Sequence, residues 1–143
     1  MFRVSHLLKN KFSPQSLLST LWTFSLFNMI LKDLHDFPTE GYVEKLMALH
    51  LPEAEMLIYA FVVEIPIMMV FLSRILNPTS NKWANVIAAG ITMLGMLSML
   101  PEGQLDDFFF AIVNAGAYLL IILTAWRLPD VHQTSSAHLS PGI

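Results

Sequence analysis

Four long apolar stretches alternate with short polar connections along the chain. The first, Leu17 to Leu31, follows Ser13-Pro14, a hydroxyl cap ahead of proline at the first helical position, and Phe37-Pro38 closes it. The second, Met56 to Leu76, reads MLIYAFVVEIPIMMVFLSRIL. Pro52 starts it, Glu53 and Glu55 fall in its first turn where the helix dipole favours acids, and Asn77-Pro78 ends it. The third runs from about Lys82 to Leu100, capped by Ser80 or Asn81 and closed by the turn Pro101-Glu102-Gly103. The fourth runs from about Phe108 to Leu128, with Asp106 or Asp107 as cap and Pro129 as stop. Between the first two, Thr39 to His50 is too polar to span a bilayer. Val43, Leu46, Met47 and His50 recur there at i, i+3, i+4 and i+7, the pattern of a short amphipathic surface helix.

A helix needs about 20 apolar residues to cross a bilayer. The pattern therefore predicts an all-α integral membrane protein with four transmembrane helices (about 14–35, 52–76, 82–100 and 107–128) in an up-down bundle. Residues 1–12 form a basic cytoplasmic lead, 13–128 the membrane domain, and 129–143 a disordered cytoplasmic tail. Composition strengthens this picture. The chain is 55% hydrophobic and 13% charged, against about 25% charged in soluble domains, and its mean hydropathy is +0.57. Lys32, Asp33 and His35 stand where a signal peptide would carry its small-residue cleavage site, so the first helix is expected to stay uncleaved. The absence of cysteine excludes disulfides and thiolate chemistry. Nothing resembles a basic nucleic-acid surface.

Charge placement sets an expected orientation. Arg3, Lys9, Lys11, Arg74, Lys82 and Arg127 fall at one side of the four stretches, while the other holds Lys32 and Lys45 among nine acids. The positive-inside rule puts both termini in the cytoplasm, and the expected location is the inner (plasma) membrane. Trp22, Trp83 and Trp126 lie toward the same side, where indoles favour the membrane interface.

Several phrases occur together in a recognisable order: Leu21-Trp22, Phe27-Asn28-Met29-Ile30 and Asp33; Glu64-Ile65-Pro66-Ile67 with Ser73-Arg74; Asn81-x-Trp83-Ala84-Asn85; and Asp107-x-Phe109-Phe110-Ala111. As a set, over residues 17–127, they resemble a family of small four-helix bacterial membrane proteins known only as a domain of unknown function. The resemblance implies the architecture and no mechanism.

The candidate chemistry lies in polar residues inside the apolar stretches. Glu64 interrupts the second, where a carboxylate at the bilayer centre costs roughly 2.5–3.5 kcal/mol. Pro66, an expected helix kink, leaves the Val62 carbonyl without its helical donor. Ser25, Asn28, Lys32 and His35 share a face of the first helix. Counting about 1.5 Å per residue places Asn28, Glu64, Asn114 and Tyr118 at comparable depths, so Asn28, Glu64 and Asn114 are expected to face one another. With Tyr118 and Thr92 they form the candidate intramembrane site, although Thr92 can equally bond its own helix backbone. Ala84, Ala88, Thr92 and Gly95 make a small-residue stripe suited to packing inside the bundle or to a homodimer seam. Met68, Met69, Met93, Met96 and Met99 read as gap-fillers. A metal site among Asp33, His35, Asp36, His50 and Glu53 lacks ligand spacing, no intramembrane histidine pair could hold haem, and no catalytic set appears. No metal or cofactor, and no enzyme activity, is expected. Two functions remain open: a structural or accessory bundle with a polar clasp at Glu64, partnered by lipid and by itself or a larger membrane complex, or a small proton-linked transporter using Glu64 as the protonatable site.

Overall fold

A computed structural model describes residues 13–99 and 105–128. The basic lead, the Pro101-Glu102-Gly103 turn and the tail lie outside the described residues. Five α-helices lie within them: α1 (Pro14–Asp36), α2 (Tyr42–Ala48), α3 (Glu53–Ile75), α4 (Pro78–Met99) and α5 (Leu105–Trp126). The helix starts follow from local chemistry. The Ser13 hydroxyl accepts the Ser16 N–H at 3.1 Å and Pro14 occupies the first turn of α1. Gly41 precedes α2 with φ of 78°, a left-handed conformation that side chains disfavour. α4 starts at Pro78, earlier than the sequence pattern suggests, because the Asn77 side chain accepts the Ser80 N–H at 2.9 Å. Asn77 is thus the cap, and Asn81 is free to turn inward. α5 likewise starts at Leu105, which moves Asp106 and Asp107 into its first turn.

The four long helices close a ring. α1 packs on α3 and α5, and α4 packs on the same two. Neighbours run antiparallel: Ser19 near the start of α1 bonds Val70 near the end of α3, and Asn28 near the end of α1 bonds Phe110 near the start of α5. Leu18 and Trp22 of α1, Met69 of α3, Ala88 and Ala89 of α4, and Tyr118, Ile121 and Ala125 of α5 form the apolar core. On α3 the inward seam is Val62, Pro66, Met69 and Ser73, spaced 4, 3 and 4. The helix is unbroken through Pro66, whose ring is buried in that seam.

Beside this apolar core, polar groups are buried and large apolar ones are exposed. Ser19, Ser25, Asn28, Ser73, Asn81, Asn85, Thr92 and Asn114 are buried, while Phe24, Phe27, Ile58, Phe61, Phe71, Ile112 and Leu123 are exposed. Among the described residues, α3 and α5 are long and apolar enough to cross a membrane. α1 and α4, expected on sequence to do the same, fall short by that measure because they supply most of the polar interior. Trp22, expected at a membrane interface, is instead fully buried, whereas Trp83 and Trp126 are exposed and meet edge to face at 5.9 Å.

The small-residue stripe of α4 faces inward. A Cβ on Gly95 would lie 3.3 Å from Cγ1 of Val62, so the stripe serves the α3–α4 contact within one chain. Gly95→Leu is expected to overpack this contact and cost about 1–3 kcal/mol in detergent unfolding, with partial recovery when Val62→Ala is added. A tolerated leucine would show that the two helices are not held this closely.

Candidate functional site

Half of the buried polar residues, Ser19, Ser73, Asn81 and Asn85, gather where α1, α3 and α4 meet. Asn81 and Asn85 lie one turn apart on α4 and turn toward α3. The Asn85 amide nitrogen donates to the Asn81 carbonyl at 2.8 Å and to its side-chain oxygen at 2.6 Å. The Asn85 side-chain oxygen accepts the Trp22 indole N–H at 2.7 Å and the Ser73 hydroxyl at 3.1 Å. Two donated and two accepted bonds use the whole capacity of one amide. Asn81 in turn donates to the Ser73 carbonyl at 2.7 Å. Beside this cluster the Ser19 hydroxyl donates to the Val70 carbonyl at 2.8 Å and accepts Nε–H of Arg74 at 3.0 Å. Trp22, Ser73, Asn81 and Asn85 are each fully buried. No buried side-chain nitrogen or oxygen among the described residues lacks a partner.

A second polar contact joins α1 to α5. The Ser25 hydroxyl donates to the Asn114 side-chain oxygen at 3.2 Å, and the Asn28 amide donates to the Phe110 carbonyl at 3.2 Å. Tyr118 is fully buried, its ring 5.9 Å from that of Trp22 and its hydroxyl 3.8 Å from the sulfur of Met29. Thr92 donates to the Ala88 carbonyl at 2.8 Å, bonding its own helix.

The third cluster closes the acidic end, beyond the apolar run that stops at Leu31. Lys32 Nζ lies 2.6 Å from an Asp36 oxygen and 2.7 Å from an Asp107 oxygen, and His35 Nε2 lies 3.2 Å from Asp106. Asp36, one turn along the same helix, and Asp107 of α5 thus share the Lys32 ammonium. With Asp36 and His35 so engaged, the residues considered for a metal are not gathered, and no group of three or more metal-ligating side chains occurs among the described residues.

Glu64 does not join Asn28 and Asn114, and the expectation of a clasp there is corrected. It is exposed on the outer face of α3, beside Leu57, Ala60 and Phe61, and makes no hydrogen bond or ion pair among the described residues. The reason is rotational. Each residue turns a helix by about 100°, so Glu64 lies roughly 200° from both Val62 and Pro66 of the inward seam. Depth along the helix axis was readable in the sequence, but the direction round the axis depends on which face packs. The Trp22, Ser73 and Asn85 contacts were missed for the same reason, although the pairing of Asn81 with Asn85 one turn apart was a visible signal.

These features define an all-helical protein whose buried polar groups are satisfied and whose described surface exposes many large apolar side chains. The chain belongs to a family of unknown function (DUF6326), whose model matches residues 6–132. No curated protein and no solved structure matches it.

Asn85→Ala removes the acceptor for Trp22 and Ser73 and the donor to Asn81. It is expected to cost about 2–4 kcal/mol in detergent unfolding, since each buried group left unpaired costs about 1–3 kcal/mol. Trp22→Phe keeps the ring and loses only the N–H. A double-mutant cycle of the two should show a coupling of about 0.5–3 kcal/mol; strictly additive costs would mean the indole–amide bond contributes nothing.

Proposed function

We propose that the protein is a multi-pass inner (plasma) membrane protein in which α1, α3, α4 and α5 all cross the bilayer as an up-down four-helix bundle, and that it acts as a structural or accessory unit. The observation that carries this is the inverted distribution of side chains. Large apolar groups cover the outside of all four long helices, and asparagine and serine are buried inside beside the apolar core. Such an exterior matches a hydrocarbon solvent, and contiguous exposed apolar surface on this scale is foreign to a soluble monomer. α1 and α4 cross despite their lower hydropathy because their polar groups are bonded to neighbouring helices and not shown to lipid.

The ends fit the same orientation. Arg74, Lys82 and Arg127 gather at one end of the ring with Trp83 and Trp126, and the Lys82 ammonium lies 4.3 Å from the Trp126 ring centroid. Lys32, Asp36, Asp106 and Asp107 gather at the other. The basic end faces the cytoplasm with both termini. α2, which buries none of its residues in the ring, lies on the opposite membrane surface. Its Val43, Leu46 and Met47 are exposed and meet the lipid boundary.

A structural role is favoured over proton-linked transport through the bundle because Glu64 faces outward and the interior polar groups satisfy one another. The stabilising clasp is then Trp22, Ser73, Asn81 and Asn85 together, not Glu64. The protein is expected to stay in membranes through alkaline carbonate extraction, with tags at both termini reached only from the cytoplasm and a tag in the 39–50 segment reached only from outside. Release by carbonate, or an external terminus, would overturn the proposal.

A further inference from the structure

We propose that the seam between α1 and α3 at the basic end binds one phospholipid with a net-negative headgroup, its phosphate on Arg74 and an acyl chain in the groove beneath. The proposal rests on the membrane-spanning reading above and names the lipid that this seam selects. Thr23, Leu26, Phe27 and Ile30 of α1 and Ile67 and Val70 of α3 line an open groove of about 320 Å³. The Thr23 hydroxyl is bonded to the Ser19 carbonyl at 2.9 Å, so the lining is apolar. Ser19 lies one turn before Thr23, and Arg74 one turn after Val70. The Ser19 hydroxyl donates to the Val70 carbonyl at 2.8 Å and accepts Nε–H of Arg74 at 3.0 Å, which fixes the guanidinium at the basic end of the groove. A guanidinium has five N–H donors. Among the described residues only Nε–H of Arg74 is engaged, and Arg74 makes no ion pair.

Depth, shape and charge decide the occupant. From Ser19, beside Arg74, to Ile30 is about 16 Å at about 1.5 Å per residue, the depth of one leaflet of a hydrocarbon core about 30 Å thick. A phosphate on Arg74 therefore sits at the interface while its acyl chain runs inward along the groove. A protein helix is about 10–12 Å across and could lay only single side chains in so small a space, whereas an acyl chain enters it lengthwise. The remaining segments of this chain suit the groove poorly. Residues 1–12 carry Arg3, Lys9 and Lys11 and no acid, so they repel Arg74, and residues 129–143 have no two large apolar residues side by side. Residues 100–104 adjoin the opposite end of the bundle. Charge then selects the headgroup. Arginine stays protonated in proteins and pairs bidentately with phosphate. A neutral polar partner would satisfy its N–H groups without balancing its charge. An acidic side chain of another protein would balance the charge but leave the groove to be filled separately. In a zwitterionic headgroup the lipid's own cation competes with Arg74 for the phosphate. A net-negative phospholipid meets every requirement, and basic sites between helices at the cytoplasmic face bind such headgroups.

The full chain is purified in detergent, offered equal amounts of phosphatidylglycerol and phosphatidylethanolamine, and its retained lipid is identified by native mass spectrometry. Phosphatidylglycerol should be preferred about fivefold or more, the effect of one basic side chain at an anionic surface. Arg74→Gln should abolish the preference, and Arg74→Lys, which keeps the charge, should restore part of it. Ile67→Trp fills the groove and leaves the Arg74–Ser19 contact in place, so it tests the site even where Arg74→Gln fails to fold. It should lower phosphatidylglycerol retention severalfold, whereas Leu94→Trp, at an exposed position of α4, should not. Glycerol phosphate, which has the charge and no acyl chain, should not compete. Equal retention of the two lipids would overturn the proposal, as would an unchanged preference in folded Arg74→Gln or parental retention in Ile67→Trp. Competition by glycerol phosphate, or a second copy or another protein held in place of lipid, would also overturn it. Carbonate extraction of the starting membranes separates the two levels. A retained chain without lipid preference overturns only the lipid site, whereas a released chain overturns the membrane-spanning reading beneath it.

Discussion

An amide buried away from water must find its hydrogen bonds inside the protein, and the rest of this structure depends on that constraint. Asn85 meets it by reaching three helices at once: it binds Asn81 on its own helix, Ser73 on α3 and Trp22 on α1. Each bond has a narrow range of useful distance and angle. The set therefore fixes the rotation of each helix about its axis in a way that apolar contacts, which are non-directional, do not. Once α3 is turned to present Ser73, it must also present Met69, Pro66 and Val62, and Glu64 must point away.

The ring is closed by different chemistry at different levels. Near the basic end the amide and hydroxyl cluster joins α1, α3 and α4. The Trp22 and Tyr118 rings pack beside that cluster in the core, and farther along α4 a small residue, Gly95, lies against Val62. Toward the acidic end Asn28 and Ser25 tie α1 to α5, and Lys32 bridges Asp36 and Asp107 beyond the last apolar turn. Charge is thus kept at the end of the ring, where each ion can retain some hydration, and neutral polar groups are used within. Burying an ion pair is costly even when its geometry is good, whereas a saturated amide network brings no charge into a low-dielectric interior.

Much of this was legible in sequence because it is one-dimensional. Helix ends follow from local chemistry at Ser13-Pro14 and Asn77-Pro78. The separation of Arg74, Lys82 and Arg127 from Asp36, Asp106 and Asp107 follows from counting along alternating segments. Asn28 and Asn114 were recognisable as interior polar residues from their position in apolar runs, and the structure places both in the α1–α5 contact. Trp22 was the misleading case. Its position near a helix end suggests an interfacial indole, and only the nearby Asn85 oxygen, 63 residues away along the chain, makes it a core residue.

The sequence by itself determined the number and extent of the long helices, their apolar character and the polarity of their ends, because these depend on periodicity, capping and local composition. The tertiary structure decided which way each helix faces. Glu64 and Asn85 look alike in sequence, each a polar residue in an apolar run. One lies outside and the other at the centre of the network because side-chain direction is set jointly by helices distant in the chain. Satisfying Asn85 with Trp22 and Ser73 leaves a single rotation for α3, and that rotation turns Glu64 outward.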